Sequence, residues 1–427
     1  MIRQYLKFFT DFLLNIKSSY WFIPAVLTAL SIVLSFCMVQ IDLVLGEKWM
    51  RGFDFLYSTK PAGARALLST ISGSMITVAG VVFSMTLLSV SHASAQIGPR
   101  ILSGFMNTTG SQYTLGTFMA TFVYCILTLR VVHGEIASTE NYETVSSFVP
   151  HFSIHVAVLM AILSVSFLIY YIHYVRQTIS TTAAVCRVGD QFLKYIDSHF
   201  PKKVGDQPGL KTASAADLPA DFESRKKPIF SNSKGFFRYV NHEGLVNFAS
   251  KEKIIVELLK KPGDFISLRL PIGYSYNVKL DNLESVHLKI TNTLVIGEER
   301  NPSQDMLFPV DLLIEMAVRA LSPGVNDPYT AIECINQLEV GLVELALVKK
   351  PEPYRVDEQR NLRLICISDG FESILKHVCV RLIPYVITES ITKTYFAEFL
   401  DRIASSGISE QQTELVKSQI DWIKNLS

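Results

Sequence analysis

The first 176 residues contain few charged side chains. Met1 to Arg176 hold 10 of the 40 Lys and Arg residues and 7 of the 39 Asp and Glu residues, so the other 251 residues carry 30 basic and 32 acidic groups. The mean hydropathy of the whole chain is +0.27. An apolar excess confined to one end predicts a membrane domain followed by a water-soluble domain.

Other absences exclude classes of function. The net charge is +1 and no block of Lys and Arg occurs, which argues against nucleic-acid binding because that needs clustered cations. The six cysteines form no C-x-x-C pair and no zinc spacing, so we expect reduced thiols and no metal site. No nucleophile elbow, P-loop, G-x-G-x-x-G or H-E-x-x-H motif is present. The sequence therefore predicts no enzyme activity and no cofactor.

Charge-free windows recur four times before residue 177. Each supplies the roughly 20 apolar residues that a spanning helix needs, and the predicted spans are about 20–41, 66–95, 112–132 and 151–175. Residues 1–19 have an amphipathic pattern that favours a helix lying along the membrane interface. The predicted fold is thus an α-helical membrane domain of four spans, residues 20–176, with the lipid bilayer as its first partner.

Lys and Arg in the short loops indicate the orientation. Basic residues precede the first span and follow the fourth, whereas the loop between the third and fourth spans is acidic. By the positive-inside rule both termini are predicted to be cytoplasmic.

The soluble half is predicted to be an α+β domain. Residues 177–228 are interpreted as a helical extension and a linker, and residues 229–300 as a small β-barrel or sandwich. From residue 301 to 427 the pattern is helical, with helices expected at roughly 361–382, 387–405 and 411–426.

The second span carries an unusual stripe of small and hydroxylated residues. They recur at helical spacing within the charge-free run from Ala66 to Pro99. The stripe consists of Gly73, Thr77, Gly80, Ser84 and Ser91. Such residues let helices pack closely in lipid, and they also suit a face that lines a water-filled pore. Packing is the more common use, and in a ring of subunits the two uses could lie on neighbouring sides of one helix.

A second polar group lies near the turn that precedes a predicted helix at residue 328. It consists of Arg300, Asp305, Arg319, Asn326 and Asp327. These residues could line a small-ligand pocket, but each also suits a turn, a helix cap or a structural ion pair. Asp327 before Pro328 is typical of a helix N-terminus.

Several blocks of the chain resemble a bacterial family of predicted inner-membrane proteins known only as a domain of unknown function. They are STISGSMITVAGVVFSMTLLSVSHASAQIGPRIL, LGTFMATFVYCILTLR, KPGDFI and GEERNPSQDMLFPVDLLIEMAVRALSPGVNDPYTA. The resemblance implies four membrane spans followed by a cytoplasmic domain, and no established activity comes with it.

These observations lead to two hypotheses. The first is a homo-oligomeric channel or channel-like pore for ions or small solutes, regulated by its cytoplasmic domain, with the second span at the pathway. The alternative is a membrane-anchored sensor or scaffold whose cytoplasmic domain binds a ligand or a partner protein.

Overall fold

The computed structural model describes residues 21–45, 60–98, 109–134, 136–137, 144–145, 147–178, 180–200, 218–300 and 303–425. The chain forms two compact units, Met1–Ser180 and Thr181–Ser427. The interfacial helix expected at residues 1–19 and most of the expected linker lie outside the described residues.

Four long apolar helices make up the N-terminal unit. They are α1 (Phe22–Leu45), α2 (Pro61–Ile97), α3 (Thr109–Val131) and α4 (His151–Thr178). A short antiparallel pair, β1 (Ile136–Ala137) and β2 (Thr144–Val145), lies between α3 and α4. The stretches long and apolar enough to cross a membrane are Phe22–Val44, Pro61–Ser91, Gly110–Val131 and His151–His173. The predicted membrane class with four helices is confirmed.

Helix α2 is longer than a bilayer requires. Pro61 occupies its first turn, where the missing N–H leaves no hydrogen bond unmade. Gly98, with φ of 109°, follows its last residue, and this conformation suits glycine because a side chain would be strained there. The 37 residues of α2 extend about 55 Å, against a hydrocarbon core of about 30 Å.

Helix α3 makes the most extensive contacts in the N-terminal unit, against α1, α2 and α4. Gly116 allows the approach of α1, because a Cβ atom there would lie 2.7 Å from Leu27 Cδ1 and 3.0 Å from Pro24 Cα. Small residues serve this purpose in lipid, where close contact replaces the hydrophobic effect between helices.

The C-terminal unit contains nine helices and eight strands among its described residues. The helices are α5 (Thr181–His199), α6 (Phe222–Arg225), α7 (His242–Glu252), α8 (Leu283–Thr291), α9 (Leu307–Ala320), α10 (Pro328–Leu347), α11 (Phe371–Val386), α12 (Ser390–Ala404) and α13 (Glu410–Asn425). The strands are β3 (Lys227–Phe230), β4 (Gly235–Val240), β5 (Ile255–Leu258), β6 (Phe265–Ile266), β7 (Pro271–Tyr276), β8 (Leu294–Gly297), β9 (Tyr354–Val356) and β10 (Leu362–Cys366).

The eight strands form two sheets. One has the order β3-β7-β5-β10-β9, in which only β5 and β10 are parallel, and the other is the antiparallel sheet β6-β4-β8. Buried apolar residues from both sheets and from α7 and α8 share one core, which includes Phe237, Leu245, Val256 and Leu364. The predicted α+β class is confirmed, and the described residues contain no closed barrel.

The structure corrects the expectation of a helix starting near residue 361. Residues 362–366 form β10, and the helix α11 begins only at Phe371. Leu362, Leu364 and Cys366 are buried while Arg363 and Ile365 are half-buried, which is the two-residue period of a strand. Because β9 and β10 complete the sheet begun by residues 227–276, the segment from 301 onward is not purely helical.

Candidate functional site

The stripe on α2 faces away from the other helices of its own unit. Its five residues are exposed in the single chain, and a Cβ atom added at Gly73 or Gly80 would meet nothing within 4 Å. The buried residues of α2 are Ala64, Leu68, Ser72, Met75, Ala79 and Val82. Since residues in a helix follow one another at about 100°, the stripe lies about 150° round the helix axis from the buried face.

Among the described residues, the hydrogen bonds that connect the four helices involve residues outside the stripe. Thr86 Oγ1 and Tyr171 Oη are 2.7 Å apart between α2 and α4, and Thr121 Oγ1 and Ser164 Oγ are 2.9 Å apart between α3 and α4. Thr77 donates its hydroxyl to Gly73 O of its own helix at 2.8 Å. The polar groups of the stripe are therefore not used to hold this chain's helices together.

A carboxylate fixes the start of α4. Asp42, near the end of α1, accepts hydrogen bonds from Phe152 N and Ser153 N at 2.9 Å each, and from Ser153 Oγ at 2.6 Å. The first N–H groups of a helix have no partner within the helix, and here another helix supplies it. The sequence analysis did not select Asp42, although it is the acidic residue within the first span helix.

Two members of the second predicted group form a buried ion pair. Arg300 donates to both oxygens of Asp305, at 2.7 and 3.0 Å, and to Asp311 Oδ2 at 2.6 Å. Asp305 is only 1% exposed, and its burial raises its pKa despite the ion pair. Burial alone would also raise the pKa of Asp311, but hydrogen bonds from His377 and Arg300 outweigh that effect and lower it. This network joins the loop after β8 to α9 and α11.

The other three members have separate partners around the turn between α9 and α10. Arg319 pairs with Glu315 one turn earlier on α9, at 3.3 Å. Asn326 has φ of 49°, a left-handed conformation that Asn tolerates. Asp327 accepts from Thr330 N at 3.1 Å and from Thr330 Oγ1 at 2.6 Å, and so caps α10. The five residues are thus divided between a buried network and a turn.

A cavity of about 260 Å³ lies in the C-terminal unit. Lys261 follows β5 and Asp369 follows β10, and the carboxyl ends of these two neighbouring parallel strands meet at one edge of the sheet. Arg355 belongs to β9, which is antiparallel to β10 and therefore begins at that same edge. In open α/β sheets, ligands bind in crevices outside the carboxyl ends of parallel strands, and this edge of the sheet has one such pair of strands.

The cavity combines charged, aromatic and apolar walls. Lys261 Nζ and Asp369 Oδ1 are paired at 2.5 Å. Tyr195 and His199 of α5 stack with ring centroids 4.1 Å apart, and Tyr195 donates to Gln304 O at 2.9 Å. Burial, together with the charges of Arg355 and His199, lowers the pKa of His242 to about 4, so His242 is neutral at pH 7.

Sequence reasoning did not find this cavity. Its polar residues lie on six separated segments between residues 195 and 369. One signal was present, because Lys261 opens the KPGD turn within a block that carried the family resemblance. The positions of the other residues depend on the pairing of β5 with β10, which joins segments about a hundred residues apart.

The fold defines the protein as a four-span membrane protein with a C-terminal unit of mixed sheets and helices. A family model described as "Predicted membrane protein (DUF2254)" matches residues 17–401, and the chain belongs to this family.

Three similar proteins are described as uncharacterized proteins. Uncharacterized proteins MT1328 and Rv1290c from two strains of Mycobacterium tuberculosis are each 25% identical over 376 residues, which is 86% of this chain and 68% of each relative. Uncharacterized protein Mb1321c from Mycobacterium bovis gives the same identity and coverage. No solved structure gives a significant match to the chain.

Proposed function

We propose that this protein is a homo-oligomeric channel or channel-like pore for ions or small solutes. The observation that supports it is the outward position of Gly73, Thr77, Gly80, Ser84 and Ser91 on α2. In lipid, small and hydroxylated residues are concentrated where helices meet or where a helix lines water. Because the stripe does not contact the helices of its own chain, we place it between copies of the chain, beside a shared aqueous pathway.

The stripe is densest over a length that suits this role. Gly73 to Ser84 covers about 16 Å of helix, roughly half of the hydrocarbon core. The exposed side chains Leu87 and Leu88 separate Ser84 from Ser91. We therefore place the polar contact between copies at Gly73–Ser84, and an apolar stretch of the proposed pathway near Leu87 and Leu88. We place the protein in the bacterial inner membrane, with both termini and the regulating C-terminal unit in the cytoplasm.

Flux and mass measurements on neighbouring substitutions test this proposal. The purified full chain in liposomes is expected to be oligomeric and to pass ions or small solutes. Gly73→Leu and Gly80→Leu are expected to lower flux at least tenfold or to dissociate the oligomer. Ser74→Leu is the matched control, since Ser74 is exposed at the same depth but lies about 100° from Gly73. A monomer without flux, or equal effects at positions 73 and 74, would exclude the pore.

Cysteine substitution distinguishes the two environments of the stripe. In a chain with its native cysteines replaced, Ser84→Cys is expected to form disulfides between copies or to react with a charged thiol reagent that cannot enter lipid. Disulfide formation identifies a contact between copies, and reaction with the reagent identifies contact with water. Failure of both, with Ser74→Cys behaving identically, would place the stripe in lipid and contradict the proposal.

A second candidate function is a membrane-anchored sensor. The observation that favours it is the cavity at the edge of the five-stranded sheet, which is close in size to the smaller ligand pockets of proteins. In this function the C-terminal unit binds a small molecule and the four helices hold it at the membrane. Ligand binding by the full chain, with no ion or solute flux, would favour this function over the pore.

A further inference from the structure

Arg355 is a buried cation with no acidic partner. Its side chain lines the cavity, and the residue is only 8% exposed. It donates through Nη1 to the backbone oxygens of Glu352 and Tyr354, and it makes no ion pair with any residue that the structure describes. Charges that are largely removed from solvent are normally paired in proteins. The nitrogens of Arg355 that have no partner are still accessible, and the side chain lines the cavity.

The acidic residues at and near the cavity are paired with other cations. Among the residues that the structure describes, Asp369 is the one carboxylate that lines the cavity, and it pairs with Lys261. Asp305, below the turn at Gly263, is held by Arg300. The charged groups that line the cavity therefore sum to one positive charge, that of Arg355, with His242 neutral.

Arg355 retains unused hydrogen-bond donors. Nε and Nη2 have no partner among the described residues, although an arginine fork commonly binds a carboxylate or phosphate through two parallel hydrogen bonds. The ring of His242 likewise makes no hydrogen bond within the described part of the chain, and a neutral imidazole can both donate and accept.

The remaining walls are suited to a compact apolar group. Phe200, Met306, Pro262, Pro351 and Ile367 contribute to the lining, beside the stacked rings of Tyr195 and His199. A volume of about 260 Å³ lies just below the usual range of small-molecule pockets, about 300–1,000 Å³. The occupant must therefore be small.

The geometry points to a binding site for a small organic anion, whose carboxylate or phosphate group pairs with Arg355 and contacts His242. The apolar part of the anion packs against the Tyr195–His199 side of the cavity. This inference names the ligand class of the membrane-anchored sensor, and a regulatory role of the anion rests on that second candidate function. The anion site itself does not depend on the pore.

The test uses probes of one shape and different charge on the detergent-solubilised full chain. They are benzoate, benzamide and benzylamine, with phenyl phosphate as a second anion, and binding is followed by calorimetric titration. At least one anion is expected to bind ten times more tightly than benzamide and benzylamine. The tighter of the two anions identifies the headgroup as carboxylate or phosphate. Equal binding of the neutral, cationic and anionic probes, or no anion binding, would overturn the inference.

Two kinds of substitution locate the anion. Arg355→Met is expected to weaken anion binding at least tenfold. Because Arg355 also bonds to the backbone, Ile367→Glu provides a second variant at an exposed wall position, where an added negative charge is expected to weaken binding while Ile367→Gln does not. Unchanged anion affinity in folded Arg355→Met and Ile367→Glu would overturn the site.

The outcomes also separate this inference from the proposed functions. Anion binding without ion or solute flux would support the anion site and exclude the pore. Anion binding that changes neither flux nor the crosslinking of Ser84→Cys would support the anion site and exclude regulation of the membrane unit by the bound anion.

Discussion

Single charged side chains of the C-terminal unit differ widely in their surroundings. Arg300 is largely buried and binds two carboxylates, whereas Arg319 pairs with Glu315 where both side chains are only half-buried. The sequence analysis grouped these two arginines together because they are close to the same turns. The two arginines differ in burial. Loss of one partner of a buried ion pair leaves an uncompensated charge and costs much stability, whereas loss of a solvated ion pair costs little.

Replacement of these arginines is expected to have very different effects on stability. Arg300→Met leaves Asp305 without a cation and removes one of the partners of Asp311, which keeps its contact with His377, and it is expected to cost about 3–5 kcal/mol. That corresponds to a fall of the order of 10 °C in the Tm of the C-terminal unit. Arg319→Met, the matched control, is expected to cost about 1 kcal/mol or less. Scanning calorimetry of the full chain measures both, and similar shifts for the two variants would contradict the assignment of a buried network.

His242 predicts a pH dependence of stability. Its pKa is lowered to about 4 in the folded chain, against about 6.5 when unfolded. Between these pH values the unfolded state therefore binds more protons than the folded state. The contribution of His242 to the free energy of unfolding is fully present above about pH 6.5, and it is lost as the pH falls from about 6.5 to 4.

The expected loss attributable to His242 is about 2–3 kcal/mol at pH 4. His242→Gln, which cannot be protonated, is expected to show a shallower decline over this range than the unmodified chain. Tm measured from pH 4 to 7 gives both curves. Parallel curves would show that His242 is not protected from protonation.

The helices of the membrane unit are held together by one set of polar groups and expose another. Asp42 on α1 caps α4, while Gly116 on α3 lets α1 approach. The stripe on α2 has neither role. At the level of these helices, polar residues inside the bundle stabilise the chain itself, whereas those of the stripe lie outside it, where the proposed function places copies of the chain or water.

Removal of the Asp42 cap is expected to loosen α4. Asp42→Ala leaves two backbone N–H groups and one hydroxyl without their acceptor and is expected to cost about 1–2 kcal/mol, as the loss of an N-cap does. Asp42→Asn keeps one oxygen acceptor and is expected to cost less. Ser35→Ala is the control, since the contact of Ser35 with Thr128 is long, at 3.4 Å. Unfolding of the full chain by a denaturing detergent measures the stability of the three variants. If Ser35→Ala lowered stability the most, the role of Asp42 as a cap would be refuted.

The C-terminal unit as a whole depends on a sheet drawn from distant parts of the chain. Leu364 of β10 is fully buried in the core shared with Val256 and Phe237, whereas Ile365 points to the other face and is half-buried. Two separable domains, one of β strands before residue 300 and one of helices after it, would not share such a core.

Truncation of Leu364 is therefore expected to weaken a strand a hundred residues away. Leu364→Ala is expected to cost about 2–4 kcal/mol and to speed amide hydrogen exchange in β5. Ile365→Ala is expected to do less. Exchange of residues 255–258 followed by mass spectrometry makes the comparison, and unchanged protection of β5 in Leu364→Ala would argue for independent domains.

Some features of the protein could be predicted from local pattern alone. The four spans could be predicted from charge-free windows, because a charged side chain within a membrane-spanning helix costs free energy. The strand at residues 235–240, the short helix after it and the cap at Asp327 follow from alternation and turn residues. Residues 362–366 could not be assigned in this way, since a short apolar run is compatible with either a helix or a strand.

The sequence by itself determined that this is a membrane protein with four apolar helices and a stripe of small residues on the second, because helical spacing and hydrophobicity are local properties of the chain. Only the tertiary structure decided which face of α2 is buried, and it left Gly73, Thr77, Gly80, Ser84 and Ser91 outside. It likewise brought Arg355, His242 and Lys261 to one cavity. Both results depend on contacts between distant segments, and such contacts are set by packing and strand pairing that no local pattern records.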